Sequence, residues 1–298
     1  MSLIRSKVPL PRWRSDLLSR PRLVEYVRSN LTRKLILIVA PPGYGKTTLL
    51  LDFAQHGATP CCWYTLDESD RDPRMFLEYL AASIQQQFPR FGERTFEALN
   101  DFKPLRAELS RVIGVLVNEI YESIAEDFVL ILDNFESVDD SPDISQILEA
   151  LLRYLPDHVH ILLASRTFPQ RAAVTLPLIA TGEVVGISGQ LLRFQTIEVM
   201  ALAKAAYGLT LDVDTATRIV DQCEGWIMGI QLSSNALRRR ELDSVLPAEV
   251  DRNLLFEYMA AEVLAPLPQD SHDFLLRSSI LRPLTVDLAQ AALSRADA

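Results

Sequence analysis

A glycine-containing loop between an apolar run and a predicted helix constrains the fold of this chain more than any other feature. Residues 35–40 are continuously apolar, which is typical of a strand buried on both faces of a parallel sheet. The helix predicted at 46–55 begins directly after the loop. A strand, a glycine-containing loop and a helix that opens with lysine and threonine form the context of a phosphate-binding loop, or P-loop. The sequence therefore predicts a nucleotide site at the end of this strand.

The predicted loop supplies the groups that a polyphosphate requires. Backbone N–H groups of the loop and of the helix start converge on phosphates, and Gly43 and Gly45 allow the close approach that a side chain would obstruct. Lys46 would neutralise the β- and γ-phosphates, and Thr47 would offer its hydroxyl to Mg²⁺. Ala40 replaces the usual first glycine at the strand end, where a small residue suffices. The residues predicted to bind ATP or ADP here are Pro42, Gly43, Tyr44, Gly45, Lys46, Thr47 and Thr48.

A second apolar run, residues 128–132, ends in an acid that suits a metal ion. Asp133 is expected at the carboxyl edge of the sheet beside the loop, where it would hold Mg²⁺ together with Thr47. Many ATPases place a second acid next to activate water, but this chain has Asn134, whose amide does not accept a proton at neutral pH. Glu136 is a candidate replacement, and the alternative is a solvated loop carboxylate. The pattern predicts nucleotide binding with slow hydrolysis or none.

The run at 159–164 is followed by Ser165 and Arg166, which are expected at the same edge of the sheet. A polar side chain there could sense the γ-phosphate, and arginine would do so through charged hydrogen bonds. A surface arginine at a strand exit is the other interpretation, and the sequence leaves both open. The candidate catalytic residues are thus Asp133, Glu136 and Arg166.

Strands alternate with helices over the first two thirds of the chain. Strands are predicted at 35–40, 61–66, 128–132, 159–164 and 183–187 and helices at 46–55, 73–87, 105–123 and 144–154, after a first helix that follows Pro21. This alternation indicates an α/β fold with a parallel sheet covered by helices on both faces. Beyond residue 190 every periodic segment is helical, and helices are predicted at 196–206, 214–223, 226–240, 254–264, 271–279 and 286–293. We predict a P-loop domain at 1–188, a helical domain at 189–245 and a third, truncated domain at 246–298.

Composition excludes several other classes of protein. The formal net charge of -9 disfavours direct nucleic-acid binding, since an acidic chain repels phosphate backbones. Three cysteines without regular spacing make no disulfide framework. Neither a signal peptide nor an apolar run of membrane-spanning length is present in the sequence, so a cytoplasmic location and no membrane partner are expected.

Several segments together resemble the MalT-like STAND ATPases, the signal-transduction NTPases found in LuxR-type bacterial transcriptional regulators. The phosphate loop matches the family pattern, and the segment from Trp63 to Pro73 is far more specific than a P-loop alone. The glycine–tryptophan pair at Gly225 and Trp226 is a further match. The resemblance covers nearly the whole chain, with similar segments at residues 6–9, 20–23, 40–48, 63–73, 163–166, 192–194, 224–232 and 255–264.

The resemblance implies a switch mechanism that spacing alone would not give. In such proteins ADP holds a closed monomer, and ATP together with an inducer drives self-association. The sensor that binds the inducer and the DNA-binding domain would lie outside this chain, and the third domain would be a winged helix that connects domains. The resemblance also implies that Arg20 and Leu23 lie beside the adenine. Two departures are Asn134, in place of a second aspartate, and Ile227, in place of a proline.

Two other functions compete with a regulatory switch. One is a P-loop enzyme with true turnover, such as a kinase, although the long helical tail is more typical of a switch than of a substrate lid. The other is an interaction module whose loop no longer binds nucleotide, against which the intact Lys46, Thr47 and Asp133 argue.

Overall fold

The computed structural model describes residues 5–14, 17–102, 106–169, 180–231, 260–265, 267–281 and 285–293. The chain divides into two compact units, Met1–Ile230 and Gln231–Ala298. Each unit is described separately below. Within the described residues, no helix is both long and apolar enough to cross a bilayer.

The first unit is built on a five-stranded sheet in the order β2-β3-β4-β1-β5, in which all neighbouring strands are parallel. Each strand lies within one residue of its predicted bounds. Because β4 separates β1 from β3, the loop after β1 and the acid at the end of β3 lie two strands apart at one edge. The strands are β1 (Leu35–Val39), β2 (Cys61–Thr65), β3 (Phe128–Asp133), β4 (Val159–Ser165) and β5 (Val184–Ser188).

Helices cover both faces of this sheet, as predicted. Leu35 and Leu37 of β1 pack into one apolar core, whereas Ile36 and Ile38 pack into the core on the other face, since successive side chains alternate along a strand. The first core takes side chains from α3, α4, α5 and α6, and the second from α1 and α2. The helices are α1 (Pro21–Ser29), α2 (Lys46–His56), α3 (Pro73–Gln87), α4 (Glu93–Asn100), α5 (Arg106–Ser123) and α6 (Pro142–Tyr154).

Local sequence explains where several of these helices begin. Pro21, Pro73 and Pro142 each stand at the start of a helix, where the missing N–H costs nothing. The Asp72 side chain also accepts the N–H of Met75 and caps α3. Helix α4 was not predicted.

A short helical region follows the sheet within the same compact unit. It comprises α7 (Gly189–Leu192), α8 (Thr196–Tyr207), α9 (Val213–Cys223) and helical residues 227–230. These helices share a small core to which Phe194, Leu202 and Ile230 contribute. Since residues 189–230 belong to the same compact unit as the sheet, a separate helical domain at 189–245 stays a prediction.

The second unit is described only in part. Residues Ala260–Leu264 form a π-helical turn, followed by α10 (Gln269–Ser278) and α11 (Val286–Leu293). The helices predicted at 271–279 and 286–293 are confirmed. The predicted helix at 226–240 beyond residue 231, and the one at 254–264 before residue 260, lie outside the described residues.

Candidate nucleotide-binding site

The predicted loop connects β1, an interior strand of the sheet, to α2. Gly43 and Gly45 adopt φ angles of +75° and +81°, in the left-handed region that favours glycine. The N–H of Ala40 donates to the carbonyl of Ser165 over 3.3 Å, which ties the start of the loop to the end of β4. Tyr44 packs against the core that α2 covers, and Thr48 lies half-buried in the first turn of α2.

Lys46 is buried at the start of α2 and turns back toward the loop. Its Nζ donates to the carbonyl oxygens of Ala40 over 2.7 Å and of Pro41 over 3.3 Å. Burial lowers the pKa of Lys46, the nearby Glu136 and Asp133 oppose this, and Arg166 adds to it. A polyanion bound at the loop would favour the charged form of Lys46 in the same way as these two carboxylates do.

The two residues predicted to hold the metal ion are in direct contact. Thr47 Oγ1 donates to Asp133 Oδ2 over 2.9 Å, and the N–H of Asn134 donates to Asp133 Oδ1 over 3.1 Å. Burial raises the pKa of Asp133 to about 6, and the hydrogen bond from Thr47 opposes the shift. A hydroxyl and a carboxylate are hard oxygen ligands that fit Mg²⁺, which commonly takes few protein ligands and completes its shell with phosphates and water. The described residues contain no cluster of three or more His, Cys, Asp or Glu side chains that could hold a metal ion.

The other two candidate catalytic residues bind each other. Arg166 Nε lies 2.8 Å from Glu136 Oε1, and the backbone N–H of Arg166 donates to Glu136 Oε2 over 3.1 Å. Both residues act electrostatically on Lys46, so they belong to the charge cluster at this edge of the sheet. Glu136 is therefore an arginine-bound carboxylate in this conformation and not a free base.

Asn134 adopts a left-handed backbone with φ of 62°, a region that asparagine tolerates better than most residues. Ser165, beside Arg166, is fully buried at the end of β4, and within the described part of the chain its hydroxyl has no hydrogen-bond partner.

The side chains of Arg20 and Leu23 are not directed at the loop. Leu23 is buried in the core beneath α1 and α2. The Arg20 guanidinium binds Glu198 and the carbonyl oxygens of Leu192 and Arg193, all in the helical region after the sheet. Contact of this segment with an adenine stays a prediction, and it would not use the Arg20 guanidinium as the structure places it.

Sequence reasoning missed a contact between the loop and residues 226–228. Trp226 Nε1 donates to the carbonyl of Pro42 over 3.2 Å, and the N–H of Met228 donates to the carbonyl of Gly43 over 3.3 Å. The glycine–tryptophan motif at Gly225 and Trp226 was visible in the sequence but did not indicate this partner. Both hydrogen bonds go to carbonyl groups of the loop.

Two family models match the chain. Residues 14–166 match the model described as Nephrocystin 3, N-terminal, and residues 260–298 match the MalT winged helix domain. Curated relatives are the HTH-type transcriptional regulators MalT of Cronobacter sakazakii, at 29% identity, and of Yersinia enterocolitica, at 28%. Each alignment covers 95% of this chain but only 31% of the relative, so the chain spans about a third of the length of these regulators.

Solved structures share the fold at low sequence identity. A Walker-type ATPase of Pyrococcus abyssi matches with a TM-score of 0.61 and 13% identity over 94% of this chain and 85% of its own. The ORC1 protein of Aeropyrum pernix, solved in complex with DNA, matches with a TM-score of 0.50 and 14% identity over 89% and 73%.

The parallel sheet, the loop and these likenesses define a protein with the P-loop NTPase fold. Because the first family model covers slightly more than half of the residues, the chain belongs to the family that the Nephrocystin 3 N-terminal model describes. Along 95% of its length it is MalT-like, with a MalT-type winged helix at its end.

Proposed function

We propose that this chain is the nucleotide-binding switch of a MalT-like transcriptional regulator, and that it binds ATP or ADP together with Mg²⁺. The observation that carries the proposal is the 2.9 Å contact between Thr47 and Asp133, beside the buried Lys46. Lys46 and Thr47 open α2, the helix after β1, and Asp133 ends β3, a strand that is not adjacent to β1. Together they offer one cation and two oxygen ligands to a metal-bound polyphosphate.

Hydrolysis in the proposed switch is slow. The residue after Asp133 is an asparagine, which can orient water but cannot take its proton. Glu136, the nearest alternative base, has both carboxylate oxygens bonded to Arg166. A general base contributes about 10²–10⁴-fold to a rate, so its absence favours long-lived nucleotide states over turnover. Long-lived states suit a regulator better than they suit an enzyme such as a kinase.

The rest of the proposal concerns the whole regulator. We place this chain in a STAND-type, LuxR-type cytoplasmic activator, in which ADP holds a monomer and ATP with an inducer drives self-association. The sensor and the DNA-binding domain would belong to the part of such a regulator that this chain does not span. In this scheme the winged helix connects domains. The net charge of -9 disfavours direct binding of nucleic acid by this chain.

Calorimetric titration of MgADP and MgATP into the wild type and into Lys46→Ala tests the proposal. We expect the substitution to weaken both nucleotides by about 100-fold or more, because it removes charged hydrogen bonds to phosphate. Lys34→Ala is the matched control, since Lys34 precedes β1 at the end of the strand opposite to the loop. Equal affinity in wild type and Lys46→Ala, or no binding to the wild type, would refute the proposal. Rapid steady-state phosphate release would favour the turnover enzyme instead.

A further inference from the structure

Arg20 connects the P-loop helix to the helices that follow the sheet. Its backbone N–H donates to Oδ2 of Asp52 over 2.6 Å. Asp52 lies in α2, the helix that begins with Lys46, and only 1% of its side chain is exposed. The backbone of Arg20 is therefore fixed to the same helix that carries the phosphate-binding lysine.

The guanidinium of Arg20 is bonded to the helical region that follows the sheet. It donates to both carboxylate oxygens of Glu198, over 3.1 and 3.0 Å, and to the carbonyls of Leu192 and Arg193, over 2.8 and 2.9 Å. It also stacks over the ring of Phe194, 4.2 Å from the centroid. Four of its five N–H groups are bound within the first turns of the region after the sheet.

Glu198 is the shared acceptor of this cluster. Arg22 also donates to it, over 2.9 and 3.1 Å, and the N–H of Gln195 donates over 2.9 Å at the start of α8. Burial raises the pKa of Glu198, but the hydrogen bonds from Arg20, Arg22 and Gln195 outweigh burial and hold the pKa below its usual value. The carboxylate is therefore ionised at neutral pH, and loss of any partner leaves a poorly solvated charge.

We propose that Arg20 is a positioning residue through which occupancy of the P-loop stabilises the attachment of α8 to the start of α1, which the bonds from Arg20 and Arg22 to Glu198 form. The inference rests on the nucleotide binding proposed above. An anion bound at the start of α2 stabilises that helix in place, and with it Asp52. Because the backbone of Arg20 is bonded to Asp52 and its buried guanidinium is bonded to Glu198, a fixed position of Asp52 restricts the position of Glu198. The coupling is reciprocal: the factor by which ADP stabilises the packed α8 equals the factor by which packing raises ADP affinity.

Hydrogen–deuterium exchange of residues 196–207, measured on the full chain with and without ADP, tests this coupling. In the wild type, ADP slows exchange of this helix. In Glu198→Gln, which keeps the shape and removes the charge, we expect exchange about tenfold faster, no slowing by ADP, and a similar loss of ADP affinity by calorimetry. Glu25→Gln is the matched control, because it removes an exposed ion pair with Arg28, at 2.9 Å, on α1.

Two results with folded Glu198→Gln would overturn the inference. One is that ADP slows the exchange of residues 196–207 in this variant as much as it does in the wild type. The other is faster exchange with unchanged ADP affinity, which would indicate a purely structural contact. If Glu198→Gln does not fold, Arg22→Gln replaces it, since Arg22 is 30% exposed and its loss leaves the Arg20 bonds intact. The same pattern with a smaller amplitude is then expected, and its absence would overturn the inference.

Lys46→Ala separates this inference from the proposed function. It should weaken ADP binding by about 100-fold or more, and without nucleotide the exchange of residues 196–207 should match that of the wild type. Wild-type ADP binding by Lys46→Ala, or no ADP binding by the wild type, would refute the proposed function and the inference together. Normal ADP binding by the wild type without any effect on α8 would refute the inference alone.

Discussion

Replacing Gly43 by alanine probes the contact between the P-loop and residues 226–228. Gly43 has a φ of +75°, and an added Cβ would lie 2.9 Å from Met228 Cβ and 2.9 Å from Trp226 Nε1. A left-handed backbone costs a residue with a Cβ about 1–2 kcal/mol, and overpacking adds about 1–3 kcal/mol. We therefore expect Gly43→Ala to lower the free energy of unfolding by about 2–5 kcal/mol.

Gly208→Ala separates the two contributions. Gly208 follows α8 with a φ of +70°, and an added Cβ would meet no atom within 4 Å. This substitution should cost only the backbone strain, about 1–2 kcal/mol. Urea denaturation followed by far-ultraviolet circular dichroism measures both variants under the same conditions. Equal losses of stability in the two variants would refute the close packing of Trp226 and Met228 on the loop.

Three further predictions follow from single side chains. Burial raises the pKa of Asp133 to about 6, so ionisation of this acid destabilises the folded state. The free energy of unfolding of Asp133→Asn should therefore exceed that of the wild type by about 2–3 kcal/mol at pH 7, and the difference should disappear below about pH 4. No pH dependence of this difference between pH 4 and 7 would contradict the burial of the acid. Glu119 accepts hydrogen bonds from the N–H groups of Gly92, Arg94 and Thr95 at the start of α4. Glu119→Gln should lower the free energy of unfolding by about 1.5–3 kcal/mol, measured by urea denaturation. Glu122→Gln, at an exposed position on α5, should lower it little. Asn134→Asp should raise the steady-state rate of ATP hydrolysis by about tenfold or more, whereas Asn134→Ala should not. Equal rates in Asn134→Asp and the wild type would contradict the inference that Asn134 limits hydrolysis.

Sequence alone predicted the elements whose signals are local. β1 and the first five residues of β3 are continuous apolar runs, and the start of α3 combines a capping aspartate with a proline, so their bounds needed no tertiary information. Thr47 and Asp133 could be paired because parallel strands bring their carboxyl ends to one edge.

The features that the sequence could not predict depend on distant partners. Helix α4 follows Gly92, which offers no side-chain cap, and the N–H groups of Gly92, Arg94 and Thr95 bind Glu119 of α5 instead. The partners of the Arg20 guanidinium lie more than 170 residues away along the chain, so the sequence could not predict its bonds to Glu198 and Leu192. The predicted contact of this segment with an adenine stays a prediction. Glu136 and Arg166 were considered separately, and only the folded chain shows that they neutralise each other.

The central claim is that Thr47 and Asp133 hold the metal ion of a nucleotide bound at the loop. Calorimetric titration of ATPγS in Mg²⁺ or in EDTA tests it most directly, with wild type, Asp133→Asn and a control, Asp157→Asn. The side chain of Asp157 is fully exposed before β4. We predict that Mg²⁺ strengthens binding to the wild type and to the control by about tenfold or more, and that Asp133→Asn abolishes this advantage. An equal effect of Mg²⁺ on all three proteins, or no binding of ATPγS to the wild type, would contradict the account.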